Sequence, residues 1–323
     1  MKHSDQASYL KNWLVIINPN AGAKKGEKDW PKIAALLDTA GFDYTPLFTT
    51  HRNHAIELSS DHINRGFKKI IVVGGDGTLN EVVNGVLTQG RYPGTEILVG
   101  MIMVGTGNDW SRTFNIPGKY KKAIKVIRKH KTFLHDAGKV TYHDKNPHTR
   151  YFINMSGLGY DGLVAHKTNQ MKDKGRGGTF AYLISLLLGL FEYSQSTLEI
   201  DIDGESIFTG KVFSMSVGIC KYNGGGMMQC PYAIPDDGIF DITLIKSIHK
   251  YQALLHLKKL YSGHFEHLPF IQIHKGKVIR IRRKQGASMK LESDGESLGH
   301  APYHFEIVPR CLNMIIKEVE APL

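Results

Sequence analysis

Cysteine is scarce in this chain. Three residues in 323, Cys220, Cys230 and Cys311, are odd in number and show no C-x-x-C spacing. Neither a disulfide framework nor a zinc site is indicated, and the pattern fits a reducing, cytoplasmic setting. Long hydrophobic runs are missing as well. The longest, Phe180 to Phe191, is broken by Ser185 and Gly189 and falls short of the ~20 apolar residues that span a bilayer. The apolar run near the N-terminus, Trp13 to Ile17, stops at Asn18-Pro19 and is too short for a signal peptide. No G-x-x-x-x-G-K-[ST] occurs, which argues against a P-loop NTPase, and the sixteen histidines include no H-E-x-x-H. His264 with His267, and His300 with His304, have no obvious carboxylate partners and are expected on the surface. A soluble chain is the expectation.

What is present is an ordinary globular composition, 41% hydrophobic and 22% charged, over a length that suits two domains or one large one. The net charge of +11 suits nucleic acid, an anionic membrane or phosphorylated ligands, and charge alone does not choose among them.

Trp13 to Ile17, Tyr44 to Thr49, Lys69 to Val73 and Glu96 to Val104 read as strands, with helices expected at Asp29 to Ala40, His54 to Arg65, Leu79 to Leu87 and Lys121 to His130. Alternating strands and helices imply βαβ units and a parallel sheet, with ligands beyond the carboxyl ends of the strands. From about residue 131 the pattern changes. Thr197–Asp203 and Lys211–Ile219 alternate around Gly204 as a hairpin, and further short strands follow at Phe240–Ile245, Phe270–His274, Lys277–Arg282, Ser288–Glu292 and His304–Val308. Helices are expected at Gly162–Lys172, Thr179–Tyr193 and Tyr251–Tyr261. An antiparallel sandwich is predicted for this half.

Three polar, glycine-bearing loops end strands of the first half: residues 18–22, 74–78 and 105–109. Gly74-Gly75-Asp76-Gly77-Thr78 turns a buried strand into a helix. Its glycines let the backbone approach a bulky anion, and the helix start adds unpaired N–H donors. An Asp inside a phosphate cradle calls for a cation, Mg²⁺ being the usual one. Gly157-Leu-Gly-Tyr-Asp-Gly162 matches G-x-G-x-x-G literally, but it lies outside the βαβ region and carries little weight for hydride transfer. Asp294-Gly-Glu296 and Pro235-Asp-Asp-Gly238 each also read as plain turns. The apolar stretch Phe180–Tyr193 reads as a core helix or as the lining of an acyl-chain cleft. The basic run Lys275, Lys277, Arg280, Arg282, Arg283, Lys284 and Lys290 reads as a solvated strand face or as a contact for anionic headgroups.

Asn18-Pro-Asn-Ala-Gly22, Gly74-Gly-Asp-Gly-Thr-Leu-Asn-Glu81 and Gly105-Thr-Gly-Asn-Asp109 together resemble the diacylglycerol kinase catalytic domain, most closely that of the bacterial diacylglycerol/sphingosine kinase-like lipid kinases. The likeness runs on through Asp136, Asn154–Asp161, Pro235–Phe240 and Asp294–Glu296. The G-G-D-G element alone is shared with NAD kinases and phosphofructokinases. The resemblance implies an N-terminal α/β domain of NAD kinase/phosphofructokinase-like type over residues 1–130. It implies a β-rich antiparallel sandwich over 131–308, with 309–323 returning to the first domain.

The same resemblance implies ATP- and Mg²⁺-dependent phosphorylation of a lipid hydroxyl. By similarity Asn18, Pro19, Asn20, Ala21, Gly22, Thr49, Gly74, Gly75, Asp76, Gly77, Thr78, Leu79, Asn80, Thr106, Asn108 and Asp109 line the nucleotide site. Glu296 is the implied proton acceptor, with Asp76 and Asp136 in a magnesium-linked carboxylate network. Asp237 with the carbonyls of Ile234 and Ile239 corresponds to a second, structural magnesium site. The family usually has a polar residue at the position of Ile234, a change that a carbonyl ligand survives. Asn20-Ala21 replaces a Ser/Thr pair, which weakens side-chain contact to phosphate. The implied partner is a lipid at a membrane surface, reached peripherally, and no nucleic acid; oligomeric state is left open, a homodimer included. Rival readings are a kinase of a soluble acceptor such as NAD, and a catalytically silent nucleotide or lipid sensor.

Overall fold

The structure, a computed structural model, describes residues 11–143, 146–173, 189–190 and 192–317. It divides into two compact units. The first runs to His135 and takes the chain back from Arg310, and the second is Asp136–Pro309.

In the first unit β1 (Trp13–Ile17), β2 (Tyr44–Phe48), β3 (Lys69–Gly74) and β4 (Leu98–Met103) are mutually parallel, in the order β4-β3-β1-β2. β1 and β3 are buried along nearly their whole length, as expected where helices cover both faces of a parallel sheet. The helices are α1 (Ala21–Thr39), α2 (His54–Asn64), α3 (Asp76–Thr88), α4 (Asp109–Thr113) and α5 (Tyr120–Lys129). In α5, Ala123, Ile124 and Ile127 are buried while the lysines and Arg128 face out, the 3.6-residue stripe of a surface helix. α1 starts eight residues before the predicted Asp29, because Gly22, Ala23 and Lys24 turn left-handed before the regular helix. The five-residue α4 was not predicted; it is too short to show a period.

The second unit is built from antiparallel strands. β5 (Thr132–His143) pairs β6 (Pro147–Phe152) as a hairpin. β7 (Met155–Gly159), β8 (Ser196–Ile202), β9 (Glu205–Gly218), β10 (Phe240–Lys246), β11 (Ile271–Gly276), β12 (Val278–Gln285), β13 (Lys290–Ser293) and β14 (Glu296–Ile315) complete it. Two helices are described in full, α6 (Tyr160–Asp173) and α7 (Lys250–Ser262). Phe152, Leu158, Ile200, Met215, Val217, Phe240, Ile242, Ile281, Leu291 and Phe305 form one apolar core.

Strands β5, β6 and β7 were not predicted. β7 holds three small residues in five, Ser156, Gly157 and Gly159, and its burial comes from β9 and β13 on either side. β14 is also far longer than the predicted His304–Val308. It ends in the first unit, where Asn313 and Met314 pair in parallel with Leu98 and Val99. The predicted apolar helix Phe180–Tyr193 falls mostly outside the described residues.

Candidate functional site

In the first unit the three loops meet. Asn18 Nδ2 donates to Thr78 Oγ1 at 3.0 Å, tying the loop after β1 to the start of α3. Asn18 Oδ1 accepts the Asn20 N–H at 3.0 Å. The Gly74 carbonyl accepts the N–H groups of Val104 and Gly105 at 2.8 and 3.2 Å. Glycine is needed where these backbones touch. A Cβ on Gly105 would stand 2.6 Å from the Gly75 Cα, and one on Gly22, at φ +61, would stand 2.2 Å from the Val104 carbonyl oxygen. Thr49 is buried and its N–H bonds the Ile17 carbonyl at the end of β1.

Asp76 is the first residue of α3, and its carboxylate reaches the third loop, accepting the N–H groups of Asp109 at 3.1 Å and Trp110 at 3.2 Å. It therefore caps α4 from outside that helix, satisfying orphan donors with a charged acceptor. Asn108 sits in the left-handed region, donates to the Gly105 carbonyl, and holds its Oδ1 buried without a hydrogen-bond partner. Thr106 is exposed at the tip of its loop, as is Asn20. Leu79 and Asn80 lie inside the unit: both are fully buried, and Asn80 Oδ1 accepts from Asn84 Nδ2 at 3.1 Å. Glu81 accepts the N–H groups of Asn53 and Ala55, each at 3.0 Å, and so ties α3 to the start of α2.

In the second unit Asp136 is fully buried. Its carboxylate accepts the Gly238 N–H at 2.7 Å and its own N–H bonds the Pro235 carbonyl at 2.8 Å. The residue thus clamps the Pro235–Gly238 turn, a partnership that the sequence reading did not assign. Within that turn Asp237 Oδ1 accepts the Ile239 N–H at 3.1 Å, and the Asp237 N–H approaches the Ile234 carbonyl at 3.5 Å.

Asp294 and Gly295, at φ +47 and +86, form the two-residue loop between β13 and β14, with Ser293 opposite Glu296. This is the twist-matched hairpin turn that Asp-Gly favours. It is also anchored. The Asp294 carboxylate accepts three N–H groups, from Ile153, Asn154 and Met155, at 2.9 to 3.0 Å. Glu292 Oε1 accepts the Gly295 N–H at 2.5 Å. Burial, with the charges of Asp294 and Asp161 nearby, pushes the Glu292 carboxyl well above the usual carboxylate range. Glu296, half-buried, opens β14 from this doubly held turn.

The same unit holds an apolar cavity walled by α6, β9, α7 and the segment that follows α7. Tyr160, Phe213, Ile248, Leu260 and Phe270 are among its apolar lining residues, and Asp161 is its carboxylate. Burial raises the Asp161 pKa to about 6 against the opposing hydrogen bonds of Ser214, Ser216 and Gln229. Neither this cavity nor the roles of Asp161, Glu292 and Asp294 were read from the sequence. The one available signal was an acid at the start of a helix inside an otherwise apolar segment. The basic run on β11 to β13 is partly engaged: Arg282 and Lys284 pair with Glu199, Arg282 with Asp201, Lys275 with Asp241, and Lys290 with His166. Among the described residues one group of metal-ligating side chains, His51, His54 and Glu57, was also unforeseen. His54 Nδ1 already accepts the Thr50 N–H there.

Residues 12–140 match the family model described as the diacylglycerol kinase catalytic domain. Residues 154–316 match the YegS C-terminal NAD kinase beta sandwich-like domain. A protein of Staphylococcus carnosus named diacylglycerol kinase is 30% identical over 297 residues, 91% of this chain and 92% of its own. One of the same name from Staphylococcus haemolyticus is 31% identical over 294 residues, 90% and 84% of the two chains. A solved chain from Bacillus anthracis str. Sterne aligns over 95% of this chain and 97% of its own, with a TM-score of 0.75 at 27% identity. Another from that strain, described as a diacylglycerol kinase, covers the same shares with a TM-score of 0.67 at 24% identity and speaks to the fold alone.

Proposed function

The chain belongs to the diacylglycerol kinase family, and from that premise we propose that it transfers the terminal phosphoryl group of ATP, with Mg²⁺, to the hydroxyl of a diacylglycerol-like or sphingoid lipid. The observation that carries this reading is the convergence of the three strand-end loops in the first unit. Backbone there approaches so closely that a Cβ at Gly75 or Gly105 would fill the space between them. Glycine loops that offer N–H groups next to a helix start suit a polyphosphate. The buried, unpartnered Asn108 Oδ1 adds a polar atom with hydrogen-bonding capacity to spare. The residues present therefore fit a nucleotide.

The Ile234–Ile239 turn fits a magnesium ion by the chemistry of its donors, two backbone carbonyls and the Asp237 carboxylate, all hard oxygens with water to complete the shell. Bound Mg²⁺–ATP would supply the phosphoryl group and neutralise charge on its oxygens. Asp76 orients the Gly105–Asp109 loop through Asp109 and Trp110. Glu296, set at the end of an anchored hairpin, receives the proton of the lipid hydroxyl. The cavity in the second unit has the apolar lining that an acyl chain requires.

The test is phosphate transfer from radiolabelled ATP to a panel of diacylglycerol, phosphatidylglycerol, ceramide and sphingoid base, with Glu296→Gln alongside. Label in a lipid that Glu296→Gln fails to produce is the expected result. Lipid-free phosphorylation of NAD, or ATP binding with no lipid labelled, would overturn the proposal.

A further inference from the structure

Helix α7 has two apolar faces, and among the described residues one is half-buried and the other is largely exposed. Ala253, His256 and Leu260 turn inward and line the cavity. Tyr251, Leu254, Leu255, Lys258 and Tyr261 follow the spacing of a single helical face on the opposite side. The four apolar members of that face are largely open to solvent: Tyr251 is 62% exposed, Leu254 52%, Leu255 72% and Tyr261 50%. They make up half of the eight large hydrophobics exposed among the described residues. A helix that buried only one face would normally present polar residues on the other.

The charge of this helix is of one sign. Lys250, Lys258 and Lys259 lie within Lys250–Ser262 and no Asp or Glu does. Lys258 stands within the exposed stripe and Lys250 at its edge. Tyrosines near both ends, leucines between them and lysines within and beside the stripe form the pattern of a helix that lies in the boundary layer of a bilayer: leucines among the acyl chains, tyrosines at headgroup depth, ammonium groups on phosphates. The other basic surface, on β11 to β13, is partly paired with acids of its own unit and offers no comparable apolar stripe.

We infer that the outer face of α7 is the surface by which this protein docks on an anionic phospholipid bilayer. The inference rests on the lipid-kinase reading and extends it. The helix that touches the membrane is also a wall of the cavity, so a lipid leaving the bilayer beside α7 meets apolar lining on the far side of the same helix. The bilayer is favoured over a second copy of this chain because the helix carries three lysines and no acidic residue, so two such faces would bring like charges together.

The experiment is flotation of the full chain with vesicles of phosphatidylcholine containing 30% phosphatidylglycerol, and with pure phosphatidylcholine, all without nucleotide. Wild type should float with the anionic vesicles, and added salt should weaken binding. Leu254→Glu/Leu255→Glu should lower the partition coefficient at least tenfold while phosphorylation of a short-chain diacylglycerol below its micellar concentration stays at the wild-type rate. Lys250→Glu/Lys258→Glu, which alters only exposed side chains, should bind several-fold more weakly and lose the salt dependence. It keeps the inference testable should the leucine variant misfold. Flotation unchanged in both variants overturns it, as does a leucine variant whose flotation is unchanged while a wild-type dimer becomes monomeric by light scattering. If flotation falls as expected but no lipid is phosphorylated by wild type, the docking surface stands and the kinase reading fails.

Discussion

Gly105 and Gly75 stand backbone to backbone: a Cβ on Gly105 would lie 2.6 Å from the Gly75 Cα, closer than real Cβ contacts come. Two loops of the proposed nucleotide site are thus held at a separation that any side chain would widen. Gly105→Ala should lower kcat/KM for ATP at least tenfold, with a smaller loss of melting temperature. Gly118, with no atom within 4 Å of its would-be Cβ, should accept alanine without effect on either. Steady-state kinetics with ATP varied, beside thermal melts of both variants, checks the pair.

Asp294 is the acceptor for three backbone N–H groups at the start of β7, those of Ile153, Asn154 and Met155. Asp294→Ala leaves all three buried and unpaired, at a cost of about 3 kcal/mol or more. Asp294→Asn should cost less, since its carbonyl oxygen can still accept from Asn154 and Met155 while its amide group opposes the Ile153 N–H. Urea denaturation of the three proteins measures the order, wild type above the Asn variant above the Ala variant.

Asp161 titrates near pH 6 in the folded chain, above its ordinary value of 3.8. The folded state therefore holds this proton more tightly than the unfolded state does. The penalty is absent below about pH 4, grows as pH rises, and is complete above about pH 6. At that point it is on the order of 3 kcal/mol. Burial of Glu292 acts in the same direction. Asp161→Asn should accordingly gain stability relative to wild type at pH 8 and show no such gain at pH 4. Melting curves at the two pH values decide it.

The Ile234–Ile239 turn predicts a metal effect that does not depend on turnover. Millimolar MgCl₂ should raise the melting temperature of the wild-type chain by mass action on the folded state. Asp237→Ala should abolish that rise while leaving the metal-free melting temperature nearly unchanged, because Asp237 is exposed. Scanning calorimetry with and without Mg²⁺ gives the answer.

Sequence alone determined the βαβ character of the first unit and the place of its loops. A run such as Lys69–Val73 followed by Gly74-Gly75-Asp76 satisfies strand, turn and helix rules within a dozen residues, so local chemistry suffices. The hairpin from Ser196 to Gly218 was legible for the same reason. What the tertiary structure decided was partnership. Asp136 reads as one more acid until its hydrogen bond to Gly238 forms, 102 residues away. Asp294 finds its three N–H donors about 140 residues back. β7 is a strand because β9 and β13 flank it, and the far end of β14 pairs with β4, which its own residues do not encode. The exposed stripe of α7 also became visible only once its opposite face had been assigned to the cavity. Periodicity records that a helix has an apolar side, and only packing shows which of two such sides the protein itself buries.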